Sequence, residues 1–264
     1  MLTWQADFYR RSQPDTEGQV VWDLFICDSS HRFTYQASCP QSDANSTWLT
    51  SQFQLAAGNN PLPDSIQVFS PQAVSLITQA GKALSINTEV TRRTPALKQW
   101  LKSQGIAINI EKRPPVPLPE NLWGEEWRFA SIPAGDLDVF AERPIPILAM
   151  PEYLLPINLG IASTQQIPGI VIYGGKRSLY LARWLQEANP VYINYIAGEP
   201  DGLVLEAGLA DRWVIATFED TEVKNAAQIY QQRQQDSQGL HFLLVQPDDS
   251  GMTYSGFWLL NVED

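Results

Sequence analysis

Residues 242–260 restrict what this chain can fold into more tightly than any other stretch. Phe242, Leu243, Leu244 and Val245 form a run with no polar face, so a strand built from them is buried on both sides. Pro247-Asp248-Asp249-Ser250-Gly251 supplies turn chemistry, and the chain returns through Met252 to Phe257-Trp258-Leu259-Leu260 as a second strand. Ends of chains usually fray, whereas this one reads as a hairpin tied into a core. The two aspartates of the turn are followed by no further ligands at fixed spacing, so they read as turn residues and not as a calcium loop.

A length of 264 residues points to two domains or one large one. With 44% apolar and 18% charged residues the composition is that of a folded chain. No apolar run approaches ~18 residues, so no membrane insertion is expected. Met1-Leu2-Thr3-Trp4 runs straight into a strand pattern without a basic start or cleavage site, and the expected location is cytoplasmic. A chloroplast copy would be expected to carry an Arg- and Ser-rich extension.

The two cysteines, Cys27 and Cys39, fall on what reads as a hairpin turning near Ser30. Their offset of roughly six residues, about 20 Å at ~3.3 Å per residue, is beyond disulfide reach, so both are expected as reduced core residues. His31 and His241 have no Cys or His companion at ligand spacing, and neither a zinc site nor any other metal or cofactor is expected. The net charge of −11 opposes long-range attraction to nucleic acid, so any such contact must come from local clusters of basic residues.

The first half alternates cleanly. Residues 4–11, 20–27 and 33–38 read as three strands, and Asn45 caps a helix that Gly58 stops. A strand at 65–69, a helix opened by Pro71, a strand at 86–90 and a helix opened by Thr94-Pro95 follow. The order β-β-β-α-β-α-β-α predicts a ribonuclease-H-like α/β domain over residues 1–113. Arg113-Pro114-Pro115-Val116-Pro117-Leu118-Pro119 fits neither helix nor central strand, so residues 114–135 are expected as a Pro/Trp-rich linker. Its stretch 122–129 is aromatic enough to pack against a domain. Residues 136–264 read as a second α/β domain: a strand at 170–173, a helix at 178–188, a strand at 191–196, a hairpin at 203–218, a helix at 221–235 and the closing hairpin.

A nuclease of ribonuclease-H type needs carboxylates from its first strand, first helix and the end of its fourth strand. Asp7 supplies one; the first helix and Phe69-Ser70-Pro71 supply none, and no enzyme activity is expected. The basic pairs are more informative. Arg92-Arg93 and Lys176-Arg177 each precede a helix, where positive charge is awkward unless an anion sits there too. Each pair either meets an anionic ligand or is solvated and matched by some of the 29 acidic residues. The segments 92–101 and 176–185 echo one another, each giving a basic pair, a Thr or Ser in cap position, and Leu and Trp-Leu at helical spacing. Tyr173-Gly174-Gly175-Lys176-Arg177-Ser178 is similar to a strand–glycine loop–helix phosphate cradle without the spacing of a nucleotide-binding loop. With Arg10 and Arg11 beside Tyr9, Lys98 and Lys102 one turn apart, and Arg183, the chain offers the mix of cations and aromatics that single-stranded RNA requires.

The terminal Trp258-Leu259-Leu260 resembles the signature ending of a family of cyanobacterial and chloroplast translation activators, the Tab/Atab-type RNA-binding proteins. The stretches 4–11, 92–101, 118–129 and 167–175 resemble the same family, so the likeness spans almost the whole chain. The resemblance implies a protein that binds A/U-rich leader sequence and promotes synthesis of photosystem reaction-centre proteins. From the basic clusters themselves, the residues expected to contact such an RNA are Arg10, Arg11, Arg92, Arg93, Lys98, Lys102, Lys176, Arg177 and Arg183. A second class stays open: an assembly factor that docks ribosome-associated or membrane-inserting proteins through its acidic surface and aromatic linker, without touching RNA.

Overall fold

The computed structural model describes residues 2–11, 13, 16, 18–106 and 114–262. Two compact α/β units divide the chain, Met1–Glu111 and Lys112–Asp264. Arg113, which opens the Pro-rich segment, lies outside the described residues.

In the first unit β1 (Thr3–Arg10), β2 (Val21–Asp28) and β3 (Thr34–Pro40) form an antiparallel meander. Next come α1 (Ser46–Ala57), β4 (Ser65–Val68), α2 (Pro71–Ala83), β5 (Asn87–Val90) and α3 (Pro95–Ser103). β4 lies parallel to β1 and β5 parallel to β4, giving the strand order β3-β2-β1-β4-β5. Asn45 accepts a hydrogen bond from the Trp48 N–H at 2.9 Å, and Gly58 ends α1 at a φ of 56°.

Alternation along the strands sends side chains to two faces. Trp4, Ala6, Phe8 and Ile26 pack under α1 and α2 against Leu49, Phe53 and Ile77. Phe25 and Cys27 pack on the other face against Leu97 and Leu101 of α3. Cys39 belongs to the first cluster, so the two buried thiols sit on opposite faces of the sheet and both are free. Burial pushes Cys27 up to about 12 and Cys39 to about 11, which keeps both as unreactive thiols.

The second unit contains β6 (Val116–Pro117), β7 (Glu126–Pro133), α4 (Leu137–Glu142), β8 (Ile147–Ala149), β9 (Gln166–Tyr173) and α5 (Ser178–Ala188). It continues with β10 (Pro190–Ile196), β11 (Asp201–Ala207), β12 (Asp211–Phe218), α6 (Thr221–Asp236), β13 (Leu240–Gln246) and β14 (Gly256–Asn261). One sheet runs β10-β11-β12-β6 and the other β7-β9-β13-β14-β8. The closing hairpin pairs Leu243 with Trp258 and Phe242 with Leu259. Phe242 also lies opposite Gly169 of β9, where a Cβ would come within 2.4 Å of its ring, so only glycine fits. Trp258 is 2% exposed, and Leu259 and Leu260 are fully buried; they are core residues.

The stretch 114–135, expected as a linker, supplies β6 and β7 to the two sheets of this unit. Its prolines limit β6 to two residues at a sheet edge, where a missing N–H costs nothing. β7 forms the opposite kind of edge, eight residues long and antiparallel to β9. Trp127 and Phe129 on it pack edge to face over the core shared by the two sheets, α5 and α6. That packing accounts for Trp127 and Phe129, while Trp123 of the same stretch stays half exposed.

Candidate nucleic-acid interface

The residues expected to contact RNA sit in environments that differ in kind. In the first unit Arg10 is exposed at the end of β1. Arg11 is clamped on Asp23 by two hydrogen bonds of 2.8 and 2.6 Å, and Asp23 also accepts from Ser38 at 2.7 Å. Tyr9 stacks on Phe25 with centroids 6.0 Å apart, so one of its faces is occupied. Arg92 is only 2% exposed, while Arg93 is half-buried with its N–H on the Thr91 hydroxyl at 3.1 Å. Lys98 lies 5.7 Å from the centroid of the buried Phe69 ring, and Lys102 is exposed one turn further on.

In the second unit Lys176, Arg177 and Arg183 are all exposed or nearly so. β9 ends at Tyr173, and Gly174 and Gly175 turn the chain into a 3-10 turn, Gly175–Arg177, that leads into α5. Both glycines are required. A Cβ on Gly174 would come within 2.5 Å of the Ser178 Cα, and Gly175 has a φ of +53° with the Glu125 carboxylate lying where its Cβ would be.

The likeness to a phosphate cradle does not extend to the backbone. The N–H of Gly174 donates to the Gln246 carbonyl at 2.9 Å, that of Gly175 to Pro247 at 3.0 Å, and that of Arg177 to Gly174 at 3.0 Å. These donors are committed within the loop and to the end of β13, so these three N–H groups do not form an anion cradle. The expected helix caps also differ from the structure. Thr94 makes no side-chain cap on α3, and the Ser178 hydroxyl is bonded to Ser255 at 2.8 Å. The two echoing segments therefore share a pattern without sharing surroundings: the basic pair is exposed in one and partly internal in the other.

Beside Lys176 and Arg177 lie two aromatic rings that basic-residue spacing did not single out. Trp123 is 55% exposed and Tyr180 is 54% exposed. The Arg177 guanidinium donates to the Asn121 carbonyl at 3.4 Å, and the Asn121 amide donates to the Tyr180 hydroxyl at 3.4 Å. The indole N–H of Trp123 donates to the Leu118 carbonyl at 2.8 Å, which fixes the ring's orientation. Under Trp123 a cavity of about 100 Å³ opens between the sheets, lined by Leu118, Leu122, Trp127, Leu181 and Leu185 among others. The signal in the sequence was faint: Tyr180 falls one helical turn after Lys176, on the outward side of α5.

Asp7, the single carboxylate of the nuclease constellation, is 4% exposed and accepts from the Phe8 N–H at 2.9 Å and from Ser70. Burial raises it to about 7. Among the described residues no group of three or more His, Cys, Asp or Glu is placed to hold a metal ion. No helix among them is long and apolar enough to cross a membrane.

Two family descriptions match the chain in adjoining parts. That of the RNA-binding protein Tab2/Atab2 N terminal covers residues 3–104, and that of the RNA-binding protein Tab2/Atab2 C-terminal domain covers residues 105–261. Two plant proteins, each described as Protein TAB2 homolog, chloroplastic, are similar along 97% of this chain. The one from Arabidopsis thaliana is 29% identical and is matched over 74% of its own length. The one from Zea mays is 26% identical and is matched over 70% of its length.

Proposed function

The chain belongs to the RNA-binding protein family Tab2/Atab2, and we propose that it promotes translation of a photosystem reaction-centre mRNA by binding single-stranded A/U-rich leader sequence. The observation that carries this reading is the match of both family descriptions, end to end, over residues 3–261. In this reading Lys176, Arg177 and Arg183 contact phosphate in the second unit, and Arg10, Arg93, Lys98 and Lys102 add contacts in the first. Arg11 and Arg92 act through the fold, one by its Asp23 clamp and the other by its burial. The first unit is read as ribonuclease-H-like from its strand order β3-β2-β1-β4-β5, with the scaffold used for binding and not for cleavage. The family description names RNA binding and no catalytic activity. The proposed workplace is the cytoplasm of a photosynthetic cell, the counterpart of the compartment that the plant relatives' names give for those proteins.

The test is to capture the protein from lysate with and without ribonuclease and to sequence the RNA retained. Enrichment of one A/U-rich leader supports the reading. The net charge of −11 favours a second one, an assembly factor that docks protein partners. Capture of the same proteins after ribonuclease treatment, with no RNA enriched, would establish that alternative instead.

A further inference from the structure

We propose that Trp123 and Tyr180 form a stacking platform for two bases of single-stranded RNA, with Lys176 and Arg177 beside them meeting the phosphates. The inference rests on the RNA-binding reading above and names the surface that performs it. Large aromatic rings are normally consumed by packing, and here the other tryptophans are. Trp4 stacks on Phe33, Trp48 on Phe8 and Trp184 packs edge-on against Trp213, while Trp258 is buried. Among the described residues Trp123 and Tyr180 lie against no other ring, and each keeps about half of its surface in solvent. Asn121, two residues before Trp123 in the chain, donates to the Tyr180 hydroxyl and accepts from Arg177, so the segment that carries one ring is bonded to the helix that carries the other, an arrangement the core does not require.

The rings are also held before any ligand arrives. The Trp123 indole is tied to Leu118 and the Tyr180 hydroxyl to Asn121, so stacking a base on them orders little that is still mobile. Every base has a π face, and an aromatic surface flanked by cations binds single strands with little demand on sequence. Charge complementarity selects RNA over an apolar protein segment: Lys176 and Arg177 lie at the surface next to the rings, and Arg183 is exposed further along α5. Because the N–H groups of Gly174, Gly175 and Arg177 are committed, phosphate contact falls to these side chains, and the aromatic faces supply the part of the affinity that salt does not screen.

The test uses the full chain and a fluorescently labelled U-rich single-stranded RNA of about twenty nucleotides, long enough to cross an ~4–16-nucleotide site. Trp123→Ala and Tyr180→Ala should each weaken binding about tenfold while leaving the dependence on salt unchanged. Trp123→Phe and Tyr180→Phe keep a ring and should stay within about threefold of the parent. The Phe variants also guard against misfolding, since Trp123 borders a cavity and its alanine variant is expected to melt earlier for that reason alone. RNA-induced quenching of tryptophan fluorescence should shrink in Trp123→Phe even though that variant still binds. Alanine variants that are folded and bind RNA like the parent overturn the platform but leave the RNA-binding reading intact. Loss of a protein partner with unchanged RNA binding also overturns it, and makes the patch a protein-docking surface. A parent chain that binds no single-stranded RNA overturns the functional reading and the platform together.

Discussion

The backbone N–H of Ile193 donates to Nε2 of His241 at 2.8 Å, while Nδ1 of the same ring donates to the Gly239 carbonyl at 2.8 Å. Both ring nitrogens are used, and Nε2 is used as an acceptor, so the imidazole is neutral. Complete burial lowers its pKa from 6.5 to about 4. A group with a depressed folded-state pKa of this kind contributes stability above its unfolded value and loses it as pH falls. Acidification from about 6.5 to 4 should therefore destabilise the second unit by ~3 kcal/mol. Hydrogen exchange measured on β13 peptides of the full chain should accelerate across that window.

Asp7 responds in the opposite direction. Its folded-state pKa of about 7 lies above the ordinary 3.8, so the stability it allows is complete at low pH and is lost as pH rises through 7. Asp7→Asn keeps the acceptor for the Phe8 N–H and removes the charge. At pH 8 it should raise stability by ~2–4 kcal/mol, and near pH 4 it should change little. Urea unfolding at the two pH values checks this. The two units should thus respond oppositely to mild acid. With magnesium or manganese the protein should leave single-stranded RNA, DNA and a hybrid intact; metal-dependent cleavage abolished by Asp7→Asn would revive a nuclease.

Charge reversal should separate the two basic pairs. Lys176→Glu with Arg177→Glu should weaken RNA binding and reduce the salt slope by ~0.7 for each phosphate no longer neutralised, with the fold unaffected. Arg92→Glu should unfold or strongly destabilise the chain, because a carboxylate would replace a guanidinium on a residue that is 2% exposed. Salt titration by fluorescence polarisation and thermal melting distinguish the two outcomes.

Glu125 sets a carboxylate against Gly175, next to the cations proposed to hold phosphate. Glu125→Gln should tighten RNA binding by about two- to threefold at low salt, an effect that shrinks as the Debye length falls to ~8 Å at physiological ionic strength. Equal affinity at low salt would place the phosphates away from this loop.

Trp258→Ala should cost ~3–5 kcal/mol through the cavity it leaves in the sheet's core. RNA binding should be lost only at temperatures where the variant unfolds, as circular dichroism and binding measured in parallel would reveal.

Most elements were legible because their signals are local. Asn45, Gly58, Pro71 and Pro95 mark helix ends, and the runs 170–173 and 242–245 are too apolar to be anything but internal strands. β7 was not legible. Its sequence Glu126-Trp127-Arg128-Phe129-Ala130-Ser131-Ile132-Pro133 lies half-buried along most of its length, and only pairing with β9 makes it a strand. β8, three residues whose partner lies far along the chain, fails for the same reason. The site divides similarly. Arg92-Arg93 and Lys176-Arg177 look alike in sequence, but burial depends on neighbours brought in from elsewhere in the chain. Trp123 has nothing in its local sequence to distinguish it from a core tryptophan; only the packing of the rest leaves it outside.

β14 lies inside its sheet, between β13 and β8. β8 pairs along Ile147–Ala149 with Gly256, Phe257 and Trp258 and with no other strand among the described residues. On a ribosome adding ~5–20 residues per second, about a hundred residues separate the two, so β8 waits roughly 5–20 s for its partner to be made. The second unit therefore closes this sheet only after β14 has been made, whatever the order of its earlier steps. A product cut short before Gly256 leaves one edge of β13 open and β8 with no partner strand, and is marked for aggregation or removal. With β14 inside the sheet, the native state of the second unit is itself a report that translation has passed residue 260.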